Sequence, residues 1–159
     1  MRPSLVAALL ISCRAPGAPP EAAGTAVIEH VVDGDTVDVV IDGRDERVRF
    51  LGVDTPETMV EGGPPECFAA EAAAYTARRL PVGTTVRMER DVVGRDDYGR
   101  LLAYVYRADD GALINEELVR LGFARPLWIE PNGMLRPRIV AAARTAEREG
   151  LGLWAACAG

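Results

Sequence analysis

Alternating apolar and polar residues predict short β-strands in several parts of the chain. The strand-like segments share a high content of Val, Ile, Leu and Tyr, and they are residues 26–32, 37–41, 46–53, 84–90 and 101–107. Asp-Gly pairs at 33–34 and 42–43 separate the first three segments. Asp-Gly between such segments is a frequent sequence of tight β-turns. The pattern therefore predicts five strands, the first three of which form a meander.

Three other segments have the composition of helices. Residues 68–80 are rich in Ala and contain no Gly or Pro, which favours a helix. Segments 113–121 and 136–149 are each followed by a glycine, Gly122 and Gly150, at the position where glycine commonly ends a helix. The order of three strands, one helix, two strands and two helices predicts an α+β, mainly β, domain. The architecture we expect is a five-stranded OB-type barrel with three helices.

The N-terminus has the pattern of an export signal. Arg2 precedes a short apolar stretch at 5–11, and Leu10-Ile-Ser-Cys13 resembles a bacterial lipobox, in which Cys13 would carry the lipid. The alternative is an ordinary signal peptide that is cleaved further along. The domain division we predict is a lipoprotein-type signal peptide at 1–12, a Pro/Gly/Ala-rich tether at 13–24 and a folded domain at 25–157. The predicted location is the outer face of the cell membrane, or secreted.

The remaining two cysteines form an even pair. If Cys13 is lipidated, Cys67 and Cys157 are left in an oxidising compartment, where a disulfide between them is expected. Two reduced, buried thiols are the alternative.

The charge of the chain is acidic, with a net value of −6. A protein that binds nucleic acid through counterion release is expected to be basic, so this charge argues against strong nucleic-acid binding. An acidic cluster also suits a cation.

One group of charged residues indicates chemistry at the ends of the predicted strands. Asp35 follows a turn and Asp54 ends a strand, so both are expected near one rim of the barrel. Carboxylates are hard oxygen ligands of the kind that calcium prefers. Glu57 follows closely, and Arg49 stands among apolar neighbours, where its planar guanidinium matches a phosphate group. Taken singly, each of these residues is more often a turn, a cap or a solvated charge.

Three segments together resemble the signature of the thermonuclease (staphylococcal nuclease) family. They are Asp33-Gly-Asp-Thr36, Arg49-Phe-Leu-Gly-Val-Asp54-Thr-Pro-Glu-Thr58 and Asp96-Asp-Tyr98-Gly-Arg100. The resemblance extends from about residue 27 to 154 and implies calcium-dependent cleavage of phosphodiester bonds in DNA and RNA, leaving 3′-phosphate ends. The implied site residues are Asp35, Asp54 and the Thr55 carbonyl as calcium ligands, Arg49 and Arg100 as phosphate-binding residues, and Glu57 as the residue that activates or orients the attacking water.

The sequence departs from the family pattern where the substrate is expected to lie. Asp97 stands at a position that is lysine in the type member, and the aromatic pair of the nucleotide site appears as Trp128 and Glu130. Tyr98 and Trp128 are the predicted substrate-binding residues. Trp128 would stack on a base or, alternatively, anchor the core, and Tyr98 is expected to pack or bond near Arg100. These changes remove positive charge, so we expect weaker substrate binding than in a basic relative.

Two other functions compete with the nuclease. One is an OB-type module that binds nucleic acid or protein with weak or no catalysis, and the other is a structural lipoprotein of the cell envelope. The intact set of charged residues favours the nuclease, which we expect to act as a monomer.

Overall fold

The computed structural model describes residues 22–157, which form a barrel with helices packed around it. The barrel strands are β1 (Ala22–Asp33), β2 (Thr36–Ile41), β3 (Arg44–Phe50), β5 (Thr85–Glu89) and β6 (Leu101–Arg107). Two strands of two residues each, β4 (Val53–Asp54) and β7 (Arg125–Pro126), pair with each other outside the barrel. The helices are α1 (Ala69–Arg79), α2 (Ile114–Arg120), α3 (Arg136–Glu149) and α4 (Leu153–Ala156).

The barrel closes in the order β1-β2-β3-β6-β5. Strands β3 and β6 are parallel, and the other neighbouring barrel strands are antiparallel. Alternate side chains, such as Val37, Val39, Val48 and Phe50, fill the interior and are fully buried. Because successive side chains of a strand point to opposite faces, this apolar set fixes which residues point inward. The predicted five-stranded OB-type barrel is confirmed.

The same alternation places charged residues on the outer face of the barrel. Arg49 lies between the inward-facing Val48 and Phe50, and it therefore points outward. The register pairs Arg49 with Thr36 of β2 on one side and with Leu102 of β6 on the other. The ends of three neighbouring strands thus meet around Arg49.

The first strand is longer than the sequence predicted. Strand β1 begins at Ala22, inside the segment 13–24 that we expected to be a tether, and Ala22 pairs with Glu89 of β5. The residues Ala22, Ala23 and Gly24 show no alternation of apolar and polar side chains, so the sequence did not predict a strand here. Pairing with β5 is made by backbone groups and does not require that alternation. The predicted signal peptide at 1–12 and Cys13 lie outside the described residues.

Two further elements differ from the prediction. The segment 46–53 was expected to be one strand, but β3 ends at Phe50 because the chain turns at Gly52, whose φ of 78° favours glycine. Strand β4 follows the turn and pairs with β7, outside the barrel. The three predicted helices are present as α1, α2 and α3, and the one-turn helix α4 is an addition to them.

A disulfide bond joins Cys67, just before α1, to Cys157, at the end of α4. The bond ties the loop before the first helix to the C-terminal turn. None of the helices between residues 22 and 157 is both long enough and apolar enough to cross a membrane.

Candidate active site

Two aspartates and an arginine meet on the outer face of the barrel. The Nη2 atom of Arg49 lies 2.6 Å from Oδ1 of Asp54 and 3.1 Å from Oδ2 of Asp35. Its Nη1 atom donates hydrogen bonds to the carbonyl oxygens of Phe50 (2.8 Å) and Val53 (2.7 Å). The side chains of Arg49 and Asp35 are only 7% and 5% exposed, whereas that of Asp54 is 47% exposed. We call these three residues the Arg49 cluster; Asp54 is its accessible member.

The Asp35 carboxylate holds the neighbouring loop in place. Its Oδ2 accepts a hydrogen bond from the Thr55 backbone N–H at 2.8 Å, and its Oδ1 accepts one from the Thr36 hydroxyl at 3.0 Å. Gly34 packs directly against Thr55, because a Cβ atom at Gly34 would lie 2.7 Å from the Thr55 Cγ2 and Oγ1 atoms. The absence of a side chain at Gly34 therefore allows Thr55 to reach Asp35.

Glu57 lies on the same loop, close to several carboxylates. Partial desolvation raises the pKa of Glu57 to about 7, and a hydrogen bond with Asp33 adds to the rise. The negative charges of Asp33, Asp35 and Asp54 act in the same direction. The Glu57 backbone N–H also donates to Glu66 Oε2 at 2.9 Å, which connects this loop to the segment that precedes Cys67.

The cluster contains more negative charge than its own arginine balances. Burial raises the pKa of Asp54, and the charges of Asp35 and Glu66 add to the rise against the opposing effect of Arg49. Between residues 22 and 157, no three His, Cys, Asp or Glu side chains stand ready to bind a metal ion together. The donors that the cluster brings together are the carboxylate oxygens of Asp35 and Asp54, which are the type of ligand that a hard cation takes, and the Thr55 carbonyl as a third ligand stays a prediction. The residues present therefore fit calcium in chemical type and in charge.

Arg100 lies on the same outer face but apart from the Arg49 cluster. Arg100 directly precedes β6 and lines a groove together with Arg47, which lies two residues from Arg49 on β3 and therefore on the same face. The Arg100 Nε donates to Asp96 Oδ2 at 2.7 Å, and its guanidinium lies 5.4 Å from the ring centre of Tyr98, a residue that is 87% exposed. In the described part of the chain, Arg100 makes no hydrogen bond or salt bridge to the cluster.

An open groove of about 850 Å³ adjoins Arg100. Its lining is mainly acidic and consists of Glu29, Asp38, Asp45, Glu46, Arg47, Tyr98, Gly99 and Arg100. Arg95 forms a bidentate ion pair with Glu46, at 2.7 and 2.9 Å, and donates to the Gly99 carbonyl at 2.6 Å. This ion pair fastens the loop that carries Arg100 to strand β3.

Trp128 makes the contacts of a core residue. It is partly buried against the barrel core, and its Cζ3 atom lies 3.0 Å from the position that a Cβ atom would take at Gly52. The guanidinium of Arg136 lies 4.7 Å from the Trp128 ring centre, and Arg136 also pairs with Glu130. These contacts correspond to the core-anchor alternative, and base stacking by Trp128 stays a prediction.

The barrel, its appended helices and the carboxylates and arginines on its outer face define a small OB-type nuclease. Residues 47–156 match the family described as Staphylococcal nuclease homologue. The thermonuclease of Staphylococcus intermedius is 38% identical over 128 residues, which cover 80% of this chain and 74% of the relative. The thermonuclease of Staphylococcus hyicus is 38% identical over 125 residues, which cover 79% and 72%. Endonuclease YncB of Bacillus subtilis (strain 168) is 33% identical over 129 residues, which cover 80% and 60%.

The chain therefore belongs to the staphylococcal nuclease family. It is a hydrolase, a nuclease of the micrococcal type, and both the predicted family and the predicted class of enzyme are confirmed.

Sequence reasoning missed three residues that the structure brings to the site. Asp33 contacts Glu57, and Glu66 accepts the Glu57 backbone N–H. Arg125 is the backbone partner of Asp54 in the β4–β7 pair. The Asp-Gly-Asp turn was a usable signal for Asp33. Arg125 comes from a distant segment without a local signal, and Glu66, nine positions after Glu57, lies in a loop without periodicity.

Proposed function

We propose that this nuclease hydrolyses phosphodiester bonds of DNA and RNA in a calcium-dependent reaction that leaves 3′-phosphate ends. The observation that supports this most directly is the meeting of Asp35 and Asp54 on the guanidinium of Arg49, at 3.1 and 2.6 Å. Carboxylates for a cation and a planar donor for a phosphate are thus within one small volume.

Asp35, Asp54 and the Thr55 carbonyl are the groups that would hold calcium. When bound, calcium would act as a Lewis acid that stabilises negative charge on the phosphoryl oxygens. In the structure, Arg49 donates hydrogen bonds to one carboxylate oxygen of Asp54 and to the carbonyl oxygens of Phe50 and Val53. To bind a phosphate with Nη2, Arg49 has to exchange its contact with Asp54, while its Nη1 stays fixed to the backbone.

The chain itself supplies the proton acceptor and the cationic donors of the reaction. Glu57 accepts a proton from the attacking water, whose oxygen forms the new bond to phosphorus. The bond to the 5′ oxygen breaks, and this oxygen leaves as a hydroxyl after taking a proton from solvent. Without a bound cation the pKa of Glu57 is about 7, and calcium on the neighbouring aspartates would lower it, so that Glu57 would be ionised and able to accept a proton at neutral pH. Arg49 and Arg100 donate hydrogen bonds from their N–H groups to the phosphoryl oxygens, where negative charge builds up in the transition state.

We also propose that the protein is exported and anchored by a lipid on Cys13, and that it acts as a monomer. The disulfide between Cys67 and Cys157 supports an oxidising compartment. Cell fractionation combined with mass spectrometry of the N-terminal peptide tests the anchor. A mature protein without lipid, or one that stays in the envelope after Cys13→Ser, contradicts it.

The test of the reaction is cleavage of DNA and RNA with calcium or with EGTA. We expect cleavage only with calcium, and products that a ligase joins only after phosphatase and kinase treatment. Glu57→Gln should lower the rate about 10²–10⁴-fold, and Arg100→Ala about 10²–10³-fold. Glu71→Gln and Arg78→Ala, both at exposed positions of α1, are the matched controls and should change nothing. Equal cleavage in EGTA would refute the calcium dependence.

A binding module with weak catalysis is the second candidate, and the observation behind it is that Arg100 lies apart from the Arg49 cluster and is paired with Asp96, at 2.7 Å. It predicts that oligonucleotides bind in the presence of calcium but stay intact. Turnover that Glu57→Gln abolishes excludes it.

A further inference from the structure

A second pocket adjoins Asp54 and Thr55, two of the residues that would hold calcium. It has a volume of about 290 Å³, and among the residues that line it are Asp54, Thr55, Glu66, Arg125 and the disulfide cysteines. It lies against the residues that would hold calcium, and its cationic side chain belongs to β7, a strand remote from them in sequence.

The β4–β7 pair fixes Arg125 beside Asp54. The two residues are direct partners in this antiparallel pair, in which opposite Cα atoms lie about 4.5–5.5 Å apart. The guanidinium of Arg125 lies 5.1 Å from the ring centre of Trp154, on α4. Cys157 directly follows helix α4 and is bonded to Cys67, so the disulfide helps to hold the ring over which the Arg125 guanidinium lies.

The cationic group of Arg125 is accessible and, unlike those of Arg49 and Arg100, is not held in an ion pair among the described residues. The residue is exposed, and among residues 22–157 it has no salt bridge and no side-chain hydrogen bond. Arg49 is held by Asp35 and Asp54, and Arg100 is held by Asp96. Stacking on Trp154 orients the planar guanidinium but leaves its N–H groups available for a phosphate.

We propose that Arg125 binds a phosphate that flanks the scissile one, so that this pocket is a subsite for the next nucleotide of the strand. The proposal rests on the proposed function, because only a polymeric substrate continues beyond the scissile bond. A guanidinium offers two parallel N–H donors to a phosphate, and such contacts position a strand without reading its sequence. Arg125 is a specificity-determining residue for substrate length.

The test compares Arg125→Gln with the wild-type protein on two substrates in calcium. One substrate is thymidylyl-thymidine, which has a single phosphate, and the other is a single-stranded oligonucleotide of eight thymidines. We expect kcat/KM to fall about 10-fold on the oligonucleotide, mainly through KM, because one charge-assisted contact is lost. The value for the dinucleotide should not change. The slope of log(kcat/KM) against log salt should become shallower by about 0.7, the effect of one phosphate contact on a single strand.

Two further variants separate phosphate binding from structural support. Arg125→Lys keeps the charge and should recover most of the activity on the oligonucleotide. Arg78→Gln removes a guanidinium that lies 5.6 Å from the Tyr75 ring centre, in a different pocket, and should leave both substrates unaffected. Equal losses on the two substrates, or no loss on the oligonucleotide, would overturn the proposal. If the wild-type protein cleaves neither substrate, the proposed function fails first and the subsite falls with it.

Discussion

Removing the disulfide should cost this domain a large part of its stability. The bonded residues, Cys67 and Cys157, are 90 positions apart in the sequence, so the bond closes most of the described chain into a loop. The loop-entropy relation gives roughly 4–5 kcal/mol for a loop of this length at 25 °C. The entire free energy of unfolding of a domain is about 5–15 kcal/mol. A change of this size should lower Tm by roughly 15 °C in a domain of this size.

The measurement is thermal and urea unfolding of Cys67→Ser, Cys157→Ser and the double variant, all in a Cys13→Ser background. Because either single change breaks the same bond, the three variants should lose similar stability rather than additive amounts. A reductant should lower Tm of the parent protein to the level of the variants and leave the double variant unchanged. If the double variant melts within a few degrees of the parent, the chain-entropy reasoning is wrong for this protein.

Three other changes test the site. Gly34→Ala should displace the Thr55 side chain, at a cost of about 1–3 kcal/mol for overpacking, and should raise the calcium concentration needed for half-maximal cleavage. Arg49→Lys should lower the free energy of unfolding by about 1–3 kcal/mol, as judged from urea titrations, because lysine cannot satisfy the carbonyls and carboxylates together. Glu46→Gln should lower kcat/KM about 2–5-fold without a comparable change in Tm, because the ion pair with Arg95 only orients a loop. The Arg95 hydrogen bond holds the pKa of Glu46 below its usual 4.5. The difference in kcat/KM between the wild-type protein and Glu46→Gln should therefore be fully present above pH 4.5 and disappear as the pH falls through the lowered pKa.

The barrel was predictable because its signals are local. Alternating apolar residues and the Asp-Gly turns define the β1–β2–β3 meander, and a register that pairs Thr36 with Arg49 follows from the turn at 42–43. Once that register is set, Asp35 has to lie near Arg49. The meeting of these two residues could therefore be expected from the sequence, whereas the carbonyl contacts of Arg49 depend on the turn at Gly52.

The structural features that the sequence did not predict depend on contacts between distant segments. Strands β4 and β7 have two residues each, too few to show any periodicity, and their pairing is what brings Arg125 to Asp54. Helix α4 is a single turn, and its position relies on the disulfide and on the close approach of Gly122 to Gly152. The roles assigned to Glu57 and Arg100 rest on the family resemblance and stay predictions.

The acidity of the chain, which argued against nucleic-acid binding, lies partly at two places in the structure. Part of the negative charge lies in Asp33, Asp35 and Asp54, where it adds to the effect of burial in raising the pKa of Glu57 and would be compensated by a divalent cation. Another part lines the groove beside Arg100 and is partly neutralised by ion pairs within the protein. Since the net charge does not attract a polyanion, retention of a strand has to depend on a few well-placed cations. An accessible arginine next to the scissile bond therefore matters more in this protein than it would in a basic relative, whose whole surface attracts the substrate.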